Sequence, residues 1–183
     1  MIRRDPLANP EKLIRQVYAY VAYRIGHGPE AEDVTSETFE RALRYRSSYD
    51  AGKAAPIAWL LGIARRCADD ALAARRPTVG EPEEMRSSEE LEEEAVQRLD
   101  LHAAVALLDE RDRELLALRY GADLKARQIA ELLGERTNTV EVGLHRALRR
   151  LRAVLEEPAS SRSMGEAEER HGPTQERTAS QGP

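Results

Sequence analysis

The sequence predicts an all-α protein: two small helical domains joined by an acidic linker, with a disordered C-terminal tail. Two observations predict the helices. Apolar residues recur at three- and four-residue intervals through most of residues 10–76 and 99–157. No stretch shows a strand signal, and no internal repeat is visible. A third observation predicts the division into two domains. Pro77 to Glu94 is rich in Glu, Ser and Pro and breaks the apolar pattern, and residues 158–183 lack aromatic side chains altogether. At 183 residues the chain permits one domain or two small ones. With 4% aromatic and 33% charged residues, its cores must be modest and its surface well solvated.

The first domain is expected over residues 10–76. Asn9-Pro10 is a helix start: a capping side chain, then a proline where its missing N–H does no harm. Leu13, Val17, Tyr20, Val21 and Ile25 follow at helical spacing, and Gly26-His27-Gly28-Pro29 reads as a turn. A second helix is predicted from about Glu30 to Arg46, with Ala31, Val34, Phe39, Ala42 and Leu43 inward. Ser47 to Ala55 reads as a loop. A third helix runs from about Pro56 to Arg75 and is stopped by Pro77. Residues 77–98 form the linker. The second domain, residues 99–157, should hold helices over Leu99–Leu108, Glu110–Tyr120, Lys125–Leu133 and Thr139–Glu156.

The net charge of −5 looks wrong for binding DNA, but its distribution matters more. Residues 1–76 carry about 13 basic and 10 acidic groups, whereas residues 77–98 carry about 2 and 8. The linker thus holds most of the acidic excess, and local basic faces remain available. The single cysteine, Cys67, excludes an intrachain disulfide and reads as a core thiol. His27, His102, His145 and His171 are scattered, so no metal site is expected. No nucleophile–base constellation or phosphate-binding glycine loop appears, so neither catalysis nor a cofactor is expected. No apolar run reaches membrane-spanning length and no signal-peptide pattern follows Met1, so a cytoplasmic protein without membrane insertion is expected.

The sharpest motif is Gln128-Ile129-Ala130-Glu131-Leu132-Leu133-Gly134-Glu135-Arg136-Thr137-Asn138-Thr139-Val140, which has helix-turn-helix spacing. Ala130 is small where two helices cross, Gly134 sits where the turn needs a positive φ, and Val140 packs the second helix back. Asn138 with Glu141 reads as a capping pair. Arg136, Thr137, Asn138, Thr139, Glu141, His145, Arg146 and Arg149 then line a helix whose N-terminal end would enter a major groove, its later arginines meeting phosphate. The plainer reading, a helical hairpin with solvated arginines, stays open on spacing alone.

The segment from Leu107 to Tyr120, followed by Ile129–Gly134, Thr139-Val140 and Leu144–Leu148, resembles region four of extracytoplasmic-function sigma factors. Ala31-Glu32-Asp33-Val34-Thr35-Ser36-Glu37-Thr38-Phe39 resembles the polymerase-binding helix of the family's region two. Ala58-Trp59-Leu60-Leu61-Gly62-Ile63-Ala64-Arg65-Arg66 resembles its minus-ten melting helix. The resemblance covers about Leu13 to Leu155. It implies a non-enzymatic specificity subunit that binds core RNA polymerase, through the β′ clamp helices and β flap, and promoter DNA. It implies polymerase contacts at Asp33, Ser36, Glu37, Glu40 and Arg41. Minus-ten DNA would meet Arg46, Tyr49, Lys53, Trp59, Arg65 and Arg66, and minus-thirty-five DNA the helix-turn-helix residues named above. Trp59 equally suits a core position. An anti-sigma protein is a further partner the family allows, although no residue here identifies one. The chain departs from the family pattern at Ser36 and Arg66, where glutamine and asparagine are frequent, and at Glu141 and Gly143, where basic residues are. Glu135 also stands where such turns usually hold an apolar residue. Two other classes compete: a plain helix-turn-helix regulator of duplex DNA, and a sigma-like interaction protein that no longer reads DNA.

Overall fold

A computed structural model describes residues 5–75 and 101–156. The acidic linker and the C-terminal tail predicted from the sequence lie outside the described residues. Helix α1 spans Pro10–Ile25, α2 Pro29–Arg44 and α3 Pro56–Ala74, with a short 3-10 turn at Arg46–Ser48 between the last two. A helical stretch at 101–106 (α4) precedes α5, Glu110–Leu116. Helix α6 spans Ala126–Leu133 and α7 Thr137–Glu156. No strand occurs among the described residues.

Helix α1 buries the stripe read from its periodicity: Leu13, Val17, Tyr20, Val21 and Ile25 all face the core. Asn9 occupies the capping position, but its side chain makes no capping bond. The helix starts instead on the pre-set φ of Pro10. In α2, Ala31, Val34 and Ala42 are buried and Phe39 is partly so, whereas Leu43 is 59% exposed. The inward arc is completed by Thr35 and Thr38, because positions 31, 34, 35, 38 and 42 share one helical face and 43 lies a third of a turn past it. Their hydroxyls donate to the carbonyls of Ala31 and Val34, each at 2.7 Å, so both can be buried without an unmet polar group. The helix also ends two residues before the predicted Arg46. Cys67 is buried on α3 among Leu60, Leu61, Ala64 and Ala68, and burial pushes its thiol pKa up, the behaviour of a core thiol.

In the second lobe, α5 is capped by Asp109, whose carboxylate accepts from the Asp112 amide at 2.8 Å. Its continuation to Tyr120 is not α-helical. Residues Ala117–Gly121 form a π turn that closes with Ala122 N donating to Ala117 O at 2.9 Å. Gly134 adopts φ 70° at the end of α6, the left-handed cap the motif required. Helix α7 begins at Thr137, two residues before the predicted start. Asn138 therefore lies inside the first turn, and the predicted Asn138–Glu141 capping pair does not exist.

The two lobes are not held apart. Leu13, Val17, Tyr20 and Leu61 of the first lobe belong to one continuous apolar cluster with Leu115, Leu118, Leu124, Ile129 and Val140 of the second. At roughly 1.5–3 kcal/mol per fully buried large aliphatic side chain, this shared core is a substantial adhesive. The π turn lies directly on α1. A Cβ on Gly121 would sit 2.8–2.9 Å from Tyr20 N and from the Ala19 carbonyl group, closer than any side chain tolerates.

Candidate nucleic-acid and polymerase interfaces

Three exposed surfaces carry the residues singled out above. On α2, Asp33, Ser36, Glu37 and Glu40 are exposed along the face opposite Ala31, Val34, Thr38 and Ala42. Arg41 is half-buried beside them. Its guanidinium bonds Glu37 at 2.6 Å within the helix and Asp70 of α3 at 3.3 Å. These carboxylates raise the Arg41 pKa, the hydrogen bond that Arg41 donates to Glu37 most. The structure thus gathers all five predicted polymerase-contacting residues on one mostly acidic strip.

The predicted minus-ten residues divide. Tyr49 and Trp59 pack against each other with ring centroids 5.4 Å apart, tilted at 58°. The Tyr49 hydroxyl donates to Ala54 O at 3.0 Å and so pins the loop between α2 and α3. Trp59 is partly exposed and packs against the core, so it is both core edge and surface wall. Lys53 and Arg66 are exposed, and Arg46 pairs with Asp5 at 2.5 Å. Arg65 is already engaged: its Nε lies 2.7 Å from Glu114 Oε1 in the other lobe.

Arg136, just before α7, and Thr137, Asn138, Thr139, Glu141, His145, Arg146 and Arg149 on it are all exposed. Asn138, Glu141, Val142, His145 and Arg149 project opposite the buried stripe of Val140, Leu144 and Ala147. Arg150 is withdrawn from this face by Asp109 and Asp112 of α5, at 2.9 and 2.5 Å, and their charge raises its pKa, the Asp112 hydrogen bond most. Two departures from the usual motif have structural reasons. A single Arg111 nitrogen, Nη2, donates to both carboxylate oxygens of Glu135 at 2.6 and 2.5 Å, which ties the helix-turn-helix turn to α5. Gly143 lets α7 approach α5, because a Cβ there would lie 2.7 Å from Leu115 Cδ1.

The sequence reading missed two constellations. Glu114 is 5% exposed and is surrounded by first-lobe groups. The Tyr20 hydroxyl donates to its Oε2 at 3.0 Å, and Arg24 Nε lies 3.0 Å from the same oxygen. Arg24, 4% exposed, also bonds Asp69 at 2.7 Å and Glu110 at 3.3 Å. Burial works against the Arg24 charge, but Glu114 and the other anions outweigh it and raise its pKa. Burial first, then Glu114, holds the Tyr20 phenol well above its usual pKa. These partners lie 94 residues apart for Tyr20 and Glu114, and no periodicity reports such a pair. The second constellation corrects the reading of scattered histidines: the imidazoles of His27 and His102 meet across the lobes, ring centroids 3.9 Å apart, with Nε2 facing Nε2.

A helix-turn-helix with an exposed outward face thus stands on the same chain as a charged helix strip and an aromatic loop. Residues 11–78 match the family model of Sigma-70 region 2, and residues 98–151 match that of Sigma-70, region 4. The ECF RNA polymerase sigma factor BldN of Streptomyces coelicolor is 33% identical over 151 residues, covering 78% of this chain and 57% of its own length. RNA polymerase sigma factor SigV of Bacillus subtilis is 33% identical over 129 residues, covering 69% and 76%. Two solved structures share the fold. CnrH in complex with the cytosolic domain of CnrY superposes with a TM-score of 0.58 at 20% identity, over 80% of this chain and 82% of that one. RpoE in complex with the anti-sigma factor NepR from Bartonella quintana gives 0.56 at 21%, over 79% and 92%. The chain belongs to the sigma-70 family, in its extracytoplasmic-function group, whose members are transcription initiation factors and not enzymes. Among the described residues, no helix is long and apolar enough to cross a membrane.

Proposed function

We propose that this chain confers promoter specificity on core RNA polymerase through three divided surfaces. The α2 strip of Asp33, Ser36, Glu37, Glu40 and Arg41 binds the clamp helices of β′. Exposed charges steer and orient such a contact, while apolar neighbours hold affinity. The loop and α3 surface of Tyr49, Lys53, Trp59 and Arg66, joined by Arg46 and Arg65, captures the melted minus-ten strand. Aromatic stacking and cations offset the cost of opening the duplex. The α7 face reads minus-thirty-five DNA in the major groove, with Arg146 and Arg149 on phosphate. The working units on this reading are residues 10–76 and 99–157, with 77–98 as tether, and the second unit also meets the β flap. The protein acts in the cytoplasm, where its polymerase is.

The observation that carries this reading is the α7 face itself. Val140, Leu144 and Ala147 hold one side of the helix in the core and leave Asn138, His145, Arg146 and Arg149 uncommitted. Of the features favouring a sigma-like protein without DNA reading, Glu135 and Gly143 serve packing inside the lobe, and only Glu141 bears on the groove. Glutamate there can accept from cytosine N4, so it alters the base read and leaves reading intact. The test is purified chain with core polymerase and sheared genomic fragments. Open complexes at a recurring promoter support the proposal. Duplex binding without polymerase would indicate a plain regulator, and neither result an interaction protein.

A further inference from the structure

We propose that Glu141 is a specificity residue of the α7 face, selecting a cytosine within the minus-thirty-five element and rejecting guanine and thymine at the same pair. This inference deepens the promoter-binding function proposed above and rests on it.

The carboxylate is uncommitted within the chain. Of the other acidic residues of the helix-turn-helix, Glu131 pairs with Arg127 at 3.0 Å and Glu135 with Arg111. Glu141 is exposed and makes no hydrogen bond or ion pair among the described residues. It does not cap the helix, because α7 begins at Thr137 and places it in the second turn. It does not seat the helix either, since Val140, Leu144 and Ala147 fill the core from the opposite side.

Its place on the helix confines its reach. A helix advances about 1.5 Å per residue, so Glu141 stands ~4.5 Å beyond Asn138 along α7. Base pairs stack at about 3.4 Å. With α7 lying along the groove, these two outward residues meet different, neighbouring pairs, and Glu141 sets the preference at one of them.

The chemistry of a carboxylate decides which base. Both oxygens accept hydrogen bonds and neither donates. In the major groove guanine offers the acceptors O6 and N7, thymine offers the acceptor O4, and adenine sets the acceptor N7 beside its N6 donor. Cytosine offers a donor, its N4 amino group, with no acceptor on its own edge. At cytosine Glu141 gains a charge-assisted hydrogen bond. At guanine or thymine it faces lone pairs, and nothing offsets its lost hydration. Val142 beside it is apolar and 42% exposed, so it cannot relieve that repulsion. Discrimination thus comes from rejecting wrong bases as much as from binding the right one.

The test is selection by holoenzyme, the full chain with core RNA polymerase, from a library in which the minus-thirty-five region of one genomic promoter is randomised. Wild type is compared with Glu141→Gln, whose amide suits adenine N6 and N7, and with Glu141→Ala. Far-UV circular dichroism checks the fold of each. Wild type should enrich cytosine at least about fivefold over guanine and thymine at one position, the low end for a specific base contact. Glu141→Gln should move that position toward adenine, and Glu141→Ala should flatten it, while the other positions keep their preferences. A wild-type chain that selects no cytosine, or variants that select the same bases as wild type, would overturn the inference. A folded variant that changes the preference at every position together would also overturn it, making Glu141 a residue that orients the helix. Open complexes on genomic fragments with a selection indifferent to Glu141 would end this claim and leave the promoter-binding function standing. No open complex with wild type would end both.

Discussion

Arg24 offers the sharpest test of how the lobes are held. Its guanidinium is 4% exposed and meets Glu114, itself 5% exposed, as well as Asp69 and Glu110. Arg24→Met keeps most of the stem's packing and removes the charge. Glu114 would keep Arg65 at 2.7 Å and the Tyr20 hydroxyl, but Arg65 is about one-third exposed and a weaker partner. Asp69 and Glu110 are 54% and 72% exposed at their side chains, so water takes over their solvation and they add little. The cost is therefore set by one buried carboxylate losing its main cation, about 3 kcal/mol, the lower end for breaking a buried pair. With an m-value of about 2 kcal/mol per molar, the urea midpoint at pH 7 should fall by about 1.5 M. Arg24→Met combined with Glu114→Leu should recover more than half of that loss, because the stranded charge is gone, Arg65 is exposed enough for water to replace its lost partner, and the Tyr20 hydroxyl is the buried group left without its acceptor. A single mutant within 1 kcal/mol of wild type, or a double mutant less stable than the single, would refute the account of Glu114 as a carboxylate dependent on Arg24.

Arg146→Ala with Arg149→Ala should weaken minus-thirty-five DNA binding and reduce the slope of log K against log salt by about 1.8, near 0.9 per lost phosphate contact; filter binding at several salt concentrations would show an unchanged slope if α7 presents a different face. Asp33→Arg with Glu37→Arg should abolish core polymerase binding in a pull-down while stability shifts by no more than about 1 kcal/mol, since both side chains are solvated and only the exposed Glu37–Arg41 pair is lost. Burial lowers the His27 pKa, and burial followed by the nearby His27 lowers that of His102. The folded state therefore favours neutral imidazoles, the stability this contributes is present above about pH 6.5, and it is lost as pH falls through the lowered values. Thermal melts from pH 8 to pH 5 should show that loss, and His102→Gln should flatten it; an equal pH dependence in wild type and variant would remove the histidine pair as its cause.

The amino-acid sequence by itself determined the secondary structure and the local motif. Periodicity located Leu13, Val17, Tyr20, Val21 and Ile25 of the buried α1 stripe though not Ala22 or Arg24, and Gly134 marked the left-handed turn of the helix-turn-helix, because each depends on residues within a turn or two of one another. Where local signals are close in strength, packing decides between them: Leu43 stays exposed because Thr38 fills the inward arc, and Asn138 is not a cap because the helix already begins at Thr137. Only the tertiary structure decided that the lobes share one core, that Arg65 answers to Glu114, and that Gly121 and Gly143 are glycines for the backbone or side chain that faces them. These are contacts between residues tens of positions apart. Their strength comes from burial and from partners displacing water, and a linear pattern holds no record of which distant group will be the partner.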